Sequence, residues 1–353
     1  MEADIRELFA ETIRKTASDL HLLVGFPPML RVHGALSPIP NLRPLTANDT
    51  EKLVMATLND EQKNIFITNK EVDYSVSASG GRFRVNAYIE KNVVAAAFRL
   101  IPQEIRTIEQ LGLPGICLEF AKLRQGFVLV TGPTGHGKST TLASMINSIN
   151  TSRARHIITI EDPIEYIYPI AKSIISQREM HQDTHSWSVA LRSVLREDPD
   201  VVLVGEMRDY ETIQAALTIA ETGHLVFATL HTNSAAQTMD RIVDVFPQNQ
   251  QPQIRLQLSF VIEGVISQRL IPSLTGGRIP VAEILTATPA VRTTIREGKT
   301  HLIDNIIQTS AEQGMMTLET SLAQSVQMGK ISVDVATSYS IRPQELGRLL
   351  KGS

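Results

Sequence analysis

The stretch Gly132-Pro-Thr-Gly-His-Gly-Lys138-Ser139 decides how the rest of this sequence is read. It fits G-x-x-x-x-G-K-[ST] in the context that motif requires, with an apolar run, FVLVT from Phe127 to Thr131, before it and a helix-forming run, STTLASMINSI from Ser139 to Ile149, after it. Glycines permit a tight loop whose N–H groups converge on phosphate oxygens. The start of the following helix adds partial positive charge. Lys138 supplies a compact cation to terminal phosphates, and the Ser139 hydroxyl suits Mg²⁺. A chance glycine-rich turn would lack these flanks. The residues predicted to bind nucleotide are Gly132, Pro133, Thr134, Gly135, His136, Gly137, Lys138, Ser139 and Thr140.

Around the loop lie further short, nearly continuous apolar runs, HIITIED, VVLVGE and LVFATLH, separated by helical stretches. Runs of that kind suit parallel strands buried on both faces, and the alternation predicts an α/β domain. Their ends carry the chemistry. VVLVG runs into Glu206, predicted to hold magnesium through its waters, and HIITI into Glu161-Asp162-Pro163-Ile164-Glu165, where a parallel sheet opens its ligand crevice. Met207 follows Glu206, so no base adjoins it, and the acidic turn is the best source for polarising the attacking water. The plain alternative is that these acids cap a helix or pair with Arg153 and Arg155. Gly223-His224 to His231-Thr-Asn places a histidine at each end of a strand. Their odd spacing points them to opposite faces, which excludes a shared metal. Either can be structural; either can sense a γ-phosphate, since a neutral imidazole donates to phosphate or orients water.

Upstream, Ile5, Leu8, Phe9 and Ile13 mark a short amphipathic helix. DLHLLVG, MLRVHGAL, and the pair VDYSVSAS and RFRVNAYIE split by Gly80-Gly81 read as strands, with NVVAAAFRLI completing the set. TANDTEKLVMATL reads as a helix capped by Thr46 or Asn48. This is a strand-rich α+β domain of roughly 100 residues. The expected boundaries are 1–101 for that domain, 102–112 for a linker opening at Pro102, 113–285 for the α/β core and 286–353 for a helical segment. Net charge is −3, from 34 Lys+Arg against 37 Asp+Glu, so no global basic field gathers nucleic acid or anionic lipid. No apolar run reaches the about 18 residues of a membrane span, and the N-terminus lacks the pattern of a secretory signal. The chain reads as cytoplasmic. The one cysteine, Cys117 between Ile116 and Leu118, excludes an internal disulfide and a zinc site of several thiolates, and is expected to be a buried small hydrophobe.

The phosphate loop, the acidic turn ITIEDPIEY, the stretch DPDVVLVGEMRD and the histidine block TGHLVFATLHTN, in this order, resemble the four nucleotide motifs of the secretion ATPases of bacterial type II secretion and type IV pili. The likeness extends to DLHL…PPMLRVHG, to GRFRVNAYIE and to IREGKTHLIDNIIQTSAEQGMMTLETSLA, pieces that look most like the branch that retracts pili in twitching motility. The assembly and secretion branches usually carry a longer N-terminal domain and a tetracysteine zinc motif, which favours retraction here. The resemblance implies a homohexamer of subunits with a PAS-like N-terminal domain and a RecA-like ATPase domain, nucleotide between them, ATP and Mg²⁺ as cofactors, and docking on an inner-membrane platform protein without insertion. It also implies that arginines of the hairpin and the next strand reach the phosphates, with Arg82, Arg84 and Arg99 as candidates. Arg82 and Arg84 alternate with Phe83 and Val85, so they share the face opposite the core, where they are equally readable as solvated side chains. By the same resemblance Glu165 is the favoured catalytic acid, Glu161 its close competitor, and His231 the functional histidine.

Two positions depart from the family pattern. His136 stands where a small residue is common, and Ala290-Val-Arg-Thr293 keeps Arg292 of the retraction branch's AIRN motif but loses its asparagine. Pilus assembly, protein secretion, a nucleotide-gated ring with little turnover and a RecA-like nucleic-acid motor are the rival readings. The last is disfavoured by near-neutral charge and by the lack of interleaved basic and aromatic residues.

Overall fold

A computed structural model describes residues 4–32, 34–101 and 104–351. His33, and Pro102 and Gln103 where the linker is expected to open, lie outside them. The chain divides into two compact units, Met1–Glu104 with Glu165–Ile167, and Ile105–Ile164 with Tyr168–Ser353.

The first unit is an antiparallel sheet of β1 (Asp19–Leu22), β2 (Met29–Val32), β3 (Ala35–Pro38), β4 (Glu71–Ala78), β5 (Gly81–Glu90) and β6 (Val93–Leu100), in the order β3-β2-β1-β6-β5-β4. Alternation along β5 buries Phe83 and Val85 completely, while Arg84 is exposed. Phe9, from the helix Ile5–Arg14, stacks on Phe83 at 4.3 Å and meets Phe98 edge-on at 5.3 Å, which fixes that helix to the apolar face. The helix Ala47–Met55 starts at Thr46, whose hydroxyl and the Asp49 carboxylate close a reciprocal capping box.

The second unit is built on β7 (Gly126–Thr131), β8 (His156–Glu161), β9 (Ile174–Glu179), β10 (Val201–Val204), β11 (Leu225–Leu230), β12 (Ile262–Pro272) and β13 (Arg278–Thr286), in the order β13-β12-β7-β11-β10-β8-β9. All neighbours are parallel except β12 and β13. This is the expected RecA-like α/β class, with a smaller α+β unit ahead of it. The four expected core strands, β7, β8, β10 and β11, are buried almost throughout. Three more strands were not legible as apolar runs. Strand β9 lies at the sheet edge, where Ser176, Gln177 and Arg178 are tolerated. Strand β12 is broken in sequence by Gly264, Ser267 and Gln268. Gly264 is required there because a Cβ would lie 2.0 Å from the Phe120 ring. Beyond β13 the chain is helical, and Leu318, Leu322, Ala336 and Leu346 form a separate small core with Ile271 and Val281 of β12 and β13. Cys117 is fully buried, and burial pushes its thiol up to about 12. No helix among the described residues is long and apolar enough to cross a membrane.

Candidate active site

Strand register gathers the site. Thr131 of β7 lies beside Leu230 of β11, Ala228 beside Val204 of β10, and Val204 beside Ile160 of β8. The residues that follow these strands, Gly132, His231 and Glu206, therefore meet at one rim, with Glu161 ending β8, the strand of these four that lies farthest from the loop. The loop turns tightly out of β7. Gly132 passes so close to β12 that a Cβ would lie 2.2 Å from the Gln268 carbonyl oxygen, and Gly137, at φ +82°, opens the helix Lys138–Ser152 from a left-handed conformation.

Lys138 is buried at 8% exposure, and its ammonium donates to the carbonyls of Gly132 at 2.9 Å and Pro133 at 3.0 Å. The same Nζ is 3.4 Å from His231 Nδ1. An ammonium can only donate, so Nδ1 is the acceptor and the ring proton sits on Nε2. That nitrogen is 3.0 Å from Glu206 Oε1. The other oxygen of Glu206 accepts from Arg208 Nη2 at 2.8 Å, and Thr134 Oγ1 is 3.4 Å from His231 Nδ1. A chain of contacts therefore runs from Arg208 through Glu206 and His231 to the phosphate-loop lysine. Burial alone would push the Glu206 carboxyl up, but Arg208 and His231 outweigh it and hold the group below its ordinary value. Glu206 raises the already high pKa of Arg208.

The other predicted residues fare differently. Glu161 is buried at 9% and accepts from Thr159 Oγ1 at 2.6 Å and Gln177 Nε2 at 3.3 Å, so its own strand and the neighbouring β9 hold its carboxylate. Glu165 is exposed and groups with the first unit, as do Arg84 and Arg99. Arg99 Nε donates to Asp19 Oδ1 at 3.0 Å. The arginines that could have neutralised the acidic turn lie elsewhere, Arg153 on the carbonyls of Lys122 and Leu123 and Arg155 on Asp200. His224, at the opposite end of β11 from His231, is 3.0 Å from both the Ile219 carbonyl and Thr222 Oγ1 at the end of the helix Tyr210–Glu221. Ser139 and Thr140 are half-buried in the first turn of the helix Lys138–Ser152.

One site residue escaped the sequence reading. Gln268, 2% exposed, donates from Nε2 to the His136 carbonyl at 2.8 Å and accepts from Thr141 Oγ1 at 2.6 Å. It thus ties the loop to the helix behind it, and Arg278 Nη1 adds a 3.2 Å bond to the Gly135 carbonyl. A buried amide with both ends satisfied is a rigid support. Its only trace in the sequence is a polar pair, Ser267-Gln268, inside an apolar run.

Comparison with known proteins agrees with this geometry. The family described as type II/IV secretion system protein matches residues 1–276. The chain belongs to that family. This member is 48% identical to the type IV pilus retraction ATPase PilT of Pseudomonas aeruginosa over 342 residues, 97% of this chain and 99% of that one. It is 51% identical over 311 residues to a twitching motility protein of Neisseria gonorrhoeae, covering 88% of this chain and 83% of that one. Among solved structures, the pilus retraction motor PilT with bound ADP superposes with a TM-score of 0.91 at 46% identity, over 98% of this chain and 100% of that one.

Proposed function

We propose that this family member is an ATP-hydrolysing motor that drives type IV pilus retraction, and hence twitching motility. The observation that carries the reading is the junction of Lys138, His231 and Glu206 at the mouth of the phosphate loop, in a chain similar over nearly its whole length to a pilus retraction ATPase.

The loop amides and Lys138 bind the β- and γ-phosphates, whose oxygens replace the Gly132 and Pro133 carbonyls on the ammonium. Hard oxygens of this chain would hold magnesium, the Ser139 hydroxyl and, through water, the Glu206 carboxylate. No group of three or more His, Cys, Asp and Glu among the described residues is placed to hold a metal, which fits an ion carried largely by phosphate and water. When bound, Mg²⁺ neutralises the charge that develops on the phosphate oxygens. His231, with its proton fixed on Nε2 by Glu206, keeps Nδ1 toward Lys138 and Thr134 and reports phosphate occupancy to β10. Glu165, with Glu161 as the alternative, places the attacking water. Arg84 and Arg99 stabilise the transferring phosphoryl charge.

The working form is a homohexamer of subunits with domains at 1–101 and 113–285, a connecting segment at 102–112 and a helical segment at 286–353. It is cytoplasmic, docked on an inner-membrane platform protein. A second reading, a pilus assembly or secretion ATPase, is favoured by one feature. Thr293 stands where the retraction branch usually has asparagine, while Arg292 donates to the Ser259 and Phe260 carbonyls and to Glu263.

The test uses Lys138→Ala as the only copy in cells, with phosphate release measured on the purified protein. Turnover is expected to vanish, with many surface pili and no twitching. Bald cells would move the assignment to assembly, and normal piliation with normal motility would refute a pilus role.

A further inference from the structure

Position 136, histidine where the family commonly has a small residue, has a ring contact that the binding of phosphate by loop amides does not explain. Strand β7 pairs with β12 only as far as Thr131 opposite Ser267, because the chain then leaves the sheet as the phosphate loop. Beyond Ser267 the β7 side of β12 has no strand partner among the described residues, yet its backbone still presents N–H groups that need acceptors. His136 supplies one. Its Nδ1 accepts from the Leu270 N–H at 3.0 Å, in the place where a strand carbonyl would otherwise stand. Two residues earlier on β12, Gln268 Nε2 donates to the His136 carbonyl at 2.8 Å. The loop is thus held to β12 at both the backbone and the side chain of one residue.

We propose that His136 is a positioning residue that clamps the phosphate loop to β12 only while its imidazole is neutral, so that protonation loosens the loop and weakens nucleotide binding. The chemistry is directional. A neutral ring with its proton on Nε2 accepts at Nδ1; an imidazolium has two N–H donors and no acceptor, and would set one of them against the Leu270 N–H. The charged groups facing the ring are all cationic: Arg278 from β13, Arg269 from β12 and Lys138 from the loop's own helix. Burial first, and then these three cations, hold the imidazole below its ordinary value, which agrees with a ring that works neutral. A small residue at this position would leave the Leu270 N–H to water, and the loop would keep only the Gln268 bond to β12 beside the Arg278 bond to Gly135 from β13. The clamp is therefore particular to chains with an acceptor side chain here.

This inference rests on the nucleotide-site reading, and the experiment separates the two. The affinity of the full chain for Mg·ADP is measured by calorimetry at about pH 7.5 and about pH 5.5, on either side of the histidine range, for wild type, His136→Ala and His136→Asn. The nucleotide's own phosphate titration is common to all three and cancels in the comparison. The loss of one backbone hydrogen bond corresponds to about a five-fold effect. The His136→Ala protein is expected to bind about five-fold more weakly than wild type at the higher pH. His136→Asn, whose side-chain oxygen can accept from Leu270, recovers most of that loss. Wild type alone weakens at the lower pH, by at most about five-fold because the depressed imidazole is only partly protonated there. Equal affinities of wild type and His136→Ala at the higher pH, or the same acid weakening in all three proteins, would overturn the clamp. Should His136→Ala fail to fold, the comparison of wild type with His136→Asn decides. Wild type that binds no ADP at either pH would overturn the nucleotide site and the clamp together.

Discussion

Glu206→Gln separates a catalytic carboxylate from a structural one. In the structure the group has two cationic or polarised partners, Arg208 at 2.8 Å and the His231 ring at 3.0 Å, and its side chain is 24% exposed. The Arg208 side chain is 67% exposed, so solvent screens that pair, and its loss costs folding roughly 0–1 kcal/mol. Gln keeps an oxygen that accepts from His231 Nε2, so the ring retains its tautomer and Lys138 its neighbour. Binding of ATP should therefore change less than about three-fold, which corresponds to under 1 kcal/mol. Turnover is a different matter. On the proposed function, the full negative charge that would order magnesium-bound water is gone at the moment charge redistributes. Deletion of one such preorganised electrostatic group typically lowers turnover by about 10²–10³. The assay is single-turnover phosphate release beside equilibrium binding of ATP, with thermal unfolding as a control expected to move by no more than about 2 °C. Tight binding with turnover within about three-fold of wild type would refute the role assigned to Glu206, because a barrier change below 1 kcal/mol is what a solvated ion pair alone explains.

Two further substitutions test the frame around the site. Arg292→Ala removes two hydrogen bonds that close the end of the helix Gln251–Val261 and an ion pair to Glu263, and should destabilise the second unit by about 2–3 kcal/mol. Its melting transition then falls by roughly 4–10 °C. An unchanged transition would mean that Arg292 is kept for something other than this cap. Glu283 is buried in the second unit, accepts from the Ala235 N–H at 2.7 Å, and is pushed by burial from its ordinary 4.5 up to about 7. A carboxyl raised on folding favours the native state when protonated, so this group's contribution declines as pH rises from near 4.5 to about 7 and is then level. Glu283→Gln keeps the acceptor and cannot ionise; denaturant unfolding should show it more stable than wild type at pH 8 by about 3 kcal/mol and similar near pH 4. Parallel pH profiles for the two proteins would show that Glu283 ionises freely in the native state.

How the sequence divides from the structure is clearest at single residues. The phosphate loop could be placed from the sequence because its action is local: contiguous backbone N–H groups, glycines where side chains do not fit, and a helix that starts at Lys138. The cap at Thr46 was legible because its partner Asp49 lies three residues on, and the alternation of Phe83 and Val85 with Arg82 and Arg84 because the two-residue period of a strand is itself local, although the Phe9 ring that covers Phe83 comes from a distant helix. Four buried strands announced themselves by continuous apolar runs, whereas β9, at the edge, and β12, with its polar supports, did not. Tertiary structure alone decided which of the predicted groups meet. His231 stands 93 residues from Lys138, and Gln268 stands 132 residues from His136. What joins each pair is the order of parallel strands and their register, which bring β11 and β12 to either side of β7. Glu161, equally plausible by sequence, ends on a strand two places farther along the sheet from β7 than His231's, and there Thr159 and Gln177 hold its carboxylate. Local chemistry is encoded in adjacent residues, but the meeting of distant ones is set by the long-range pairing and burial that order the sheet, and no short stretch of sequence contains that information.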